Sequence, residues 1–295
     1  MPSLRRAAIL LLIFCSALAC DRRAKSTASA TGPRKVASLV PAATDMLLGM
    51  GLADRLVAVS NYESSPLVKS LPRVGDYQST DWETLARLRP DVMVIQVAPD
   101  RLPPGLQQHA DQLGIQLVNV KIDRLEDVFD TMQRLGAVAG DVDKGRVAVR
   151  QLRERLDRIR DDANQHPPLK TLIVRDENGR DVIGPDNYLD DLLRYVNATN
   201  AAAPLGKPYP TIDREKLVAL APDAVVVLLP SAQPQSLDVS RRFWQSMTDL
   251  PAVTNNKVVT LTAPYALIPG PRLAELAQQI ADALRPPPTT QPGTK

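Results

Sequence analysis

The chain has 295 residues, of which 44% are apolar and only 4% are aromatic. Its 36 basic and 33 acidic residues leave a formal net charge of +3, and no long basic run carries interleaved aromatic residues, so we set nucleic-acid binding aside. A chain of this length can form one large or two medium domains with an aliphatic core.

The first twenty residues, MPSLRRAAILLLIFCSALAC, have the pattern of a secretory signal: two arginines, a short apolar stretch and small residues before a cysteine. The apolar stretch is too short to span a bilayer unaided, so we predict a signal peptide over residues 1–19. The ending ALAC resembles a bacterial lipobox, which implies that Cys20 carries a lipid in the mature protein. The alternative is a signal peptide without lipidation.

The two cysteines, Cys15 and Cys20, both lie in or at this signal, so the mature domain has no disulfide and no thiol nucleophile. We expect residues 20–33 to form a lipidated N-terminus and flexible linker that tethers the protein to a membrane. Residues 286–295 are rich in Pro and Thr and are expected to be a disordered tail. The folded body is therefore predicted over residues 34–285.

Strand and helix patterns alternate through an N-terminal lobe, predicted over residues 34–124. A β-α-β order of this kind implies a parallel sheet. The predicted elements are a strand at 36–40, a short helix capped by Thr44 and Asp45, a strand at 55–60, a helix at 83–89 and a strand at 92–97.

A connecting segment, predicted over 125–166, has helical apolar spacing instead. Gly136 and Gly140 interrupt it, which predicts two helices or one bent helix. Alternation of strand and helix resumes in a C-terminal lobe, predicted over 167–285. The apolar face of the connecting segment is predicted to carry Val147, Leu152, Leu156 and Ile159.

One stretch of the chain occurs twice. DWETLARLRPDVMVI, residues 81–95, and DREKLVALAPDAVVV, residues 213–227, share seven residues at an offset of 132 positions. Duplicated units within one chain usually have the same architecture. The sequence therefore predicts two similar α/β lobes, and a cleft between two lobes is a preferred place for a ligand.

Tyr77 and Tyr209 have the same offset, in loops that lead into the two repeated helices. Such loops present side chains to ligands in open α/β sheets. Two tyrosines facing each other across a cleft would give flat, amphipathic contact surface. The alternative is that each tyrosine packs locally under its own loop.

Four stretches, taken in order, resemble the substrate-binding proteins of ABC importers for vitamin B12, ferric siderophores and haem. The resemblance implies an α/β fold of two Rossmann-like lobes with central parallel sheets, joined by one long backbone helix (class III periplasmic binding proteins). The stretches are VASLVPAATDMLLGMGLADRLVAVSNYESSP, LPRVGDYQSTDWETLARLRPDVMVI, FWQSMTDLPAVTNNKVV and GPRLAELAQQIADAL.

By position, the resemblance places four residues near the ligand: Tyr62, Tyr77, Tyr209 and Arg272. The Arg272 guanidinium could bind an amide, carboxylate or phosphate. The alternative is that Tyr62 and Arg272 are surface residues. Trp244 is expected to pack rather than bind. Loop residues that could also line the pocket are Asp186, Tyr188 and Tyr265.

Glu83 and Glu215 are duplicated acids. In the family that the chain resembles, an acid on each lobe docks onto arginines of the membrane permease, and a two-fold permease dimer needs matching contacts. The alternative is helix capping: Thr80 and Glu83 fit a capping box, but Ile212 occupies the corresponding position in the second lobe.

The chain offers little for catalysis. His109 and His166 are its two histidines, neither lies near a nucleophile motif, and no phosphate loop or zinc-protease motif is present. A thiol-free domain with two histidines is a poor transition-metal cage, so we expect no metal site and no cofactor. Iron or cobalt would arrive already chelated.

The sequence therefore predicts a monomeric, lipid-anchored carrier at the periplasmic or extracytoplasmic face that brings a chelated metal, foremost cobalamin, to an ABC permease dimer. A ferric siderophore or haem is the alternative ligand, and the absence of a histidine in the cleft argues slightly against haem. Two other classes stay open: a lipid-anchored enzyme on a related two-lobed frame, and an interaction or sensor protein. Because a long helix is a stiff connector, we expect little domain closure.

Overall fold

The structure, a computed structural model, describes residues 32–285. The predicted signal peptide, Cys20 and the C-terminal tail lie outside these residues. Nowhere in 32–285 is a helix both long enough and apolar enough to cross a lipid bilayer.

Two separate four-stranded sheets form the framework, and every strand pair in both sheets is parallel. In sequence order the strands are β1 (Val36–Ser38), β2 (Leu56–Val59), β3 (Val92–Ile95), β4 (Gln116–Asn119), β5 (Leu169–Val174), β6 (Ala198–Asn200), β7 (Ala224–Leu228) and β8 (Val258–Leu261). The first sheet has the order β2-β1-β3-β4 and the second β6-β5-β7-β8, so the two sheets have the same topology. The predicted pair of α/β lobes is confirmed.

Ten α-helices connect or cover these strands within the described residues. They are α1 (Pro41–Gly49), α2 (Trp82–Leu88), α3 (Leu106–Gln112), α4 (Leu125–Val138), α5 (Val142–Ala163), α6 (Tyr188–Tyr195), α7 (Arg214–Leu220), α8 (Pro234–Gln245), α9 (Pro251–Thr254) and α10 (Leu273–Leu284). We call the part built on β1–β4 the N-terminal lobe and the part built on β5–β8 the C-terminal lobe.

The helix α1 begins at Pro41, before the predicted caps Thr44 and Asp45. Pro41 occupies its first turn, where a missing N–H costs no hydrogen bond. The predicted caps Thr44 and Asp45 are therefore wrong, because both residues lie inside the helix. The Thr44 hydroxyl instead donates to Ser38 Oγ at 2.9 Å, which ties α1 to the end of β1.

The connecting segment consists of two helices, α4 and α5, which pack against each other. The chain turns between them at Gly140, whose φ of +84° is a left-handed conformation suited to glycine. Gly136 has a different role from the predicted interruption. A Cβ there would lie 2.9 Å from the backbone of Gly145, so both glycines allow close approach of the two helices.

The apolar face of α5 differs from the prediction at one residue. Val147 is 39% exposed, and Val149 is buried in its place. The buried positions then follow at alternating steps of three and four residues, as expected for one face of an α-helix. These positions are Val149, Leu152, Leu156, Ile159 and Ala163.

A single hydrophobic core runs from one lobe to the other. It contains Val92 and Val94 from the N-terminal sheet and Val226 and Leu228 from the C-terminal sheet, together with buried residues of α4, α5, α6 and α10. The opposite face of each sheet has a core of its own. Alternate strand residues point to opposite faces, which explains how each strand serves two cores.

The duplicated stretch forms the same helix-turn-strand unit in both lobes. The residues that end α2 and α7, Arg89 and Ala221, are both left-handed, with φ of 50° and 41°. Each stands directly before the shared proline of the repeat, where the ordinary α-helical conformation is disfavoured. The repeat in the sequence thus records a shared backbone geometry.

Candidate functional site

The carboxyl ends of the strands are where an open α/β sheet binds ligands, and most favourably where the strand order reverses. In the N-terminal lobe this point lies between β1 and β3, and in the C-terminal lobe between β5 and β7. Residues that directly follow these strands are therefore the first candidates for ligand contact.

The N-terminal lobe has a cavity of about 570 Å³ at this edge. Tyr77 lines it, together with the segments that follow β3 and β4. Its charged lining residues are Arg101, Lys121, Asp123 and Arg134. Tyr77 is half-buried and also packs against the core on the outer face of the first sheet.

The C-terminal lobe presents Tyr209, which is 47% exposed. The guanidinium carbon of Arg175, the residue after β5, lies 4.8 Å from the centre of the Tyr209 ring. Tyr188 lies behind these two residues and is only 6% exposed. Tyr209 and Arg175 thus form the accessible surface, and Tyr188 supports it from within the core.

Electrostatics connect the two walls. Burial raises the pKa of Tyr209, Arg175 opposes this, and the carboxylate of Asp123 in the N-terminal lobe raises the pKa further. Burial likewise raises the pKa of Tyr188. Asp123 thus lines the cavity of Tyr77 and acts on the pKa of Tyr209. We call Tyr77, Asp123, Arg175 and Tyr209 together the cleft mouth.

Other residues proposed as ligand contacts lie elsewhere or already have partners. Tyr62, in the loop after β2, is 72% exposed. The carboxylate of Asp186 accepts a hydrogen bond from Arg124 at 2.7 Å, across the two lobes. Ligand contact by Tyr62, Asp186 or Tyr188 stays a prediction.

Arg272 and Tyr265 form a second cluster, in contact with each other. The Arg272 guanidinium lies 4.5 Å from the Tyr265 ring centre and donates to Asp45 Oδ1 at 2.5 Å. Burial raises the pKa of Asp45, and its ion pair with Arg272 opposes that shift. Each of the two residues lines a groove beside α5, and neither groove includes Tyr77 or Tyr209.

Two arginines that the sequence patterns did not single out are prominent. Arg175 stands at the strand end described above. Arg124, just before α4, binds Asp191 of α6 with two of its guanidinium nitrogens, one of them at 2.8 Å from Asp191 Oδ2. The backbone N–H of Leu125 donates to the same carboxylate at 3.0 Å. Arg124 therefore joins the two lobes.

Glu83 and Glu215 occupy matching, exposed positions in the first turns of α2 and α7. Within residues 32–285 neither carboxylate forms a salt bridge. The alternative of a capping box formed by Thr80 and Glu83 is wrong, because other residues cap the two helices. Asp81 accepts from Thr84 N at 2.9 Å, and Asp213 accepts from Lys216 N at 2.7 Å. Duplicated aspartates cap both helices, because they stand one residue closer to the helix than Thr80 and Ile212.

Neither histidine lines the cavity of Tyr77. His109 stacks on Trp82 at 5.2 Å between ring centres, and its Nδ1 lies 2.8 Å from Gly105 O. Trp244 is 3% exposed and contacts Phe243 edge-to-face, so its predicted packing role is confirmed. In the described part of the chain, no three His, Cys, Asp or Glu side chains are grouped as a metal site requires.

Relatives of known name were found for most of the chain. It is 27% identical over 239 residues to the vitamin B12-binding protein of Vibrio parahaemolyticus, covering 81% of this chain and 84% of the relative. It is 24% identical over 260 residues to the uncharacterized ABC transporter substrate-binding lipoprotein YvrC of Bacillus subtilis, covering 86% and 81% of the two chains.

Solved structures show the same fold. The periplasmic vitamin B12-binding protein BtuF of Vibrio cholerae superposes with a TM-score of 0.69 at 24% identity, covering 85% of this chain and 96% of BtuF. A periplasmic haem-binding protein of Pseudomonas aeruginosa gives a TM-score of 0.70 at 24% identity, covering 86% and 94%. The profile of the family described as "Periplasmic binding protein" matches residues 36–265. The chain belongs to the periplasmic binding protein family.

Proposed function

We propose that this protein is the substrate-binding component of an ABC importer and that it captures a corrinoid of the cobalamin type. The observation that carries the proposal is the cleft mouth, where Tyr77 and Tyr209 stand at the carboxyl edges of two matched sheets. The named vitamin B12-binding relative supports this choice of ligand.

The ligand is held between the lobes without being changed. Aromatic rings give a large contact area at small entropic cost, and a few polar groups set the orientation. Because one hydrophobic core joins both lobes through α4 and α5, we propose that binding causes little domain rotation. Comparison of small-angle scattering of the free and loaded protein tests this, and a large change in radius of gyration would contradict it.

Haem or a ferric siderophore is the second candidate ligand. Tyrosine can ligate haem iron, and Tyr77 lines a cavity while Tyr209 is exposed, so a haem ligand would not need His109 or His166. The haem-binding neighbour from Pseudomonas aeruginosa has the same fold.

We further propose that a lipid on Cys20 anchors the protein at the periplasmic or extracytoplasmic face, and that Glu83 and Glu215 dock onto the permease dimer. Supporting the anchor are the lipobox-like ALAC ending and the relative named as a lipoprotein. Supporting the docking contacts are the matching, exposed positions of the two carboxylates. The family and the named relatives are binding proteins, which argues against an enzyme.

The mature chain, starting at residue 20 with Cys20→Ser, tests the ligand. It is titrated separately with cyanocobalamin, a ferric siderophore and haemin, and passed over a size-exclusion column. We expect a red, one-to-one complex with cyanocobalamin, from which the corrinoid is recovered unchanged. Preferential binding of haemin or the siderophore would select the second candidate, and chemical conversion of the corrinoid would favour an enzyme.

A further inference from the structure

Arg175 stands at the most favoured ligand position of the C-terminal lobe. It directly follows β5, the strand that has β6 on one side and β7 on the other. Its backbone N–H donates to Asp181 O at 2.8 Å, which holds the residue at the start of a tight loop. The sheet therefore fixes the position of the Arg175 backbone.

The guanidinium of Arg175 has no anionic partner within residues 32–285. Its Nε is buried without an acceptor, and neither terminal nitrogen forms a hydrogen bond or salt bridge there. Of the three acids in the loop that follows β5, Glu177 forms no salt bridge within residues 32–285, and the other two accept hydrogen bonds from other groups. Asp176 accepts from Arg180 N at 3.0 Å, and Asp181 Oδ1 accepts from the Thr211 hydroxyl at 3.1 Å.

Two other arginines near the junction of the lobes differ in this respect. Arg124 is paired with Asp186 and Asp191, and Arg272 is paired with Asp45. A partly buried cation without a counter-charge is unfavourable unless something else supplies the acceptor. At Arg175, among residues 32–285, only the face of Tyr209 does so, by a cation–π contact.

The opposite wall of the cleft mouth carries the same sign of charge. The cavity of Tyr77 is lined by three basic side chains and one acid, which are Arg101, Lys121, Arg134 and Asp123. Lys121 lies 3.6 Å from Asp123, so that acid is already shared. The surface facing a ligand is therefore basic on both lobes.

We propose that Arg175 binds a phosphodiester of the ligand, with Tyr209 holding the guanidinium flat beneath it. A planar guanidinium can donate two parallel hydrogen bonds to phosphate oxygens, which gives orientation as well as affinity. This inference rests on the proposed function, and it names the part of the corrinoid that the C-terminal lobe recognises: the phosphate of the nucleotide loop.

The test compares two corrinoids that differ in that group. Cyanocobalamin has the phosphodiester and nucleotide, whereas dicyanocobinamide lacks both. We expect Arg175→Gln to weaken cyanocobalamin binding about tenfold to a hundredfold and to change cobinamide binding less than twofold, measured by calorimetric titration. Arg175→Lys should restore part of the loss. Arg180→Gln, at an exposed residue of the same loop, is the matched control and should leave both affinities unchanged.

Thermal unfolding of each variant separates loss of contact from loss of fold. Equal weakening of both corrinoids by Arg175→Gln would overturn the phosphate assignment, as would no weakening of either. If the wild-type chain binds no corrinoid, the proposed function fails by itself. The same variants are then titrated with an anionic ferric siderophore, and unchanged affinity there would overturn any role of Arg175 as an anion-binding residue.

Discussion

Asp91 and Asp223, 132 positions apart in the sequence, form the same pair of hydrogen bonds in the two lobes. Asp91 accepts from Lys35 N at 2.7 Å and its own N–H donates to Lys35 O at 2.9 Å. Asp223 accepts from Lys170 N at 3.1 Å and donates to Lys170 O at 2.8 Å. Each aspartate thus joins the repeated unit to the first strand of its own lobe.

These bonds lead to a stability prediction. Asp91→Ala and Asp223→Ala should each lower the free energy of unfolding by about 1–3 kcal/mol, because a charged acceptor is lost from a backbone N–H. Urea denaturation followed by circular dichroism measures the change. Asp130→Ala, at an exposed residue of α4, is the control. If only one of the two variants loses stability, the two aspartates do not contribute equally to the free energy of unfolding.

The tyrosines of the cleft mouth are expected to carry much of the ligand affinity. Tyr77→Ala and Tyr209→Ala should each raise the Kd for cyanocobalamin about tenfold, since each removes a ring that covers the ligand. The Phe variants at both positions should retain most of the affinity. Tyr62→Ala decides whether the ligand reaches the loop after β2: a tenfold loss would extend the site to that loop. Unchanged Kd in both Ala variants would contradict the proposed site.

The docking proposal predicts a separation of transport from binding. The double variant Glu83→Lys, Glu215→Lys should abolish uptake of labelled corrinoid by cells while leaving the Kd of the purified protein within about twofold, because reversed charges repel a basic permease surface. Glu154→Lys, an exposed charge reversal on α5, should transport normally. Undiminished uptake by the double variant would remove these glutamates from the docking contact.

Acid should weaken the junction between the lobes. Burial raises the pKa of Asp191, but hydrogen bonds from Arg124 and Leu125 N outweigh it and leave the pKa below its usual value. The stability that Asp191 contributes is therefore complete above the unfolded-state pKa of about 3.9 and is lost as the pH falls below it. Asp191→Asn should be less stable than wild type at pH 7, and its unfolding free energy should fall less between about pH 5 and pH 3. Parallel pH profiles in urea titrations would contradict this.

For Gly136→Ala we expect a change in stability opposite to the one that helix propensity alone predicts. In an exposed helix, Gly→Ala stabilises by about 1 kcal/mol. Here the new Cβ would meet backbone of Gly145 at 2.9 Å, so Gly136→Ala should instead destabilise by about 1–3 kcal/mol. Thermal denaturation measures the sign, and a stabilised variant would show that α4 and α5 can move apart freely.

The repeat made the two-lobed fold predictable from the sequence, because helix caps, left-handed turns and strand-joining aspartates all recur at one offset. It also led to Tyr77 and Tyr209. Comparison of the two repeats did not identify Arg175. Lys35 and Lys170 form the same hydrogen bonds in the two lobes, and the residues five positions after them are Val40 and Arg175. The N-terminal lobe therefore has a valine where the C-terminal lobe has this arginine. A site residue that occurs in only one lobe cannot be found by comparing the two halves of the sequence.

Other differences arose from tertiary contacts that a linear pattern does not contain. The ion pair of Asp186 with Arg124, which is 62 residues away, could not be inferred from the loop position of Asp186. Val147 was placed on the apolar face of α5 from the helical spacing of apolar residues, whereas Val149 is the residue buried in the core.

The core that α4, α5, α6 and α10 share with both sheets also determines how this protein can come apart. Cutting the chain between the lobes would leave each fragment with a wide apolar surface in water, so neither half should remain soluble by itself. Although the chain still shows the marks of a tandem duplication, its halves have lost their independence and should denature in one cooperative transition.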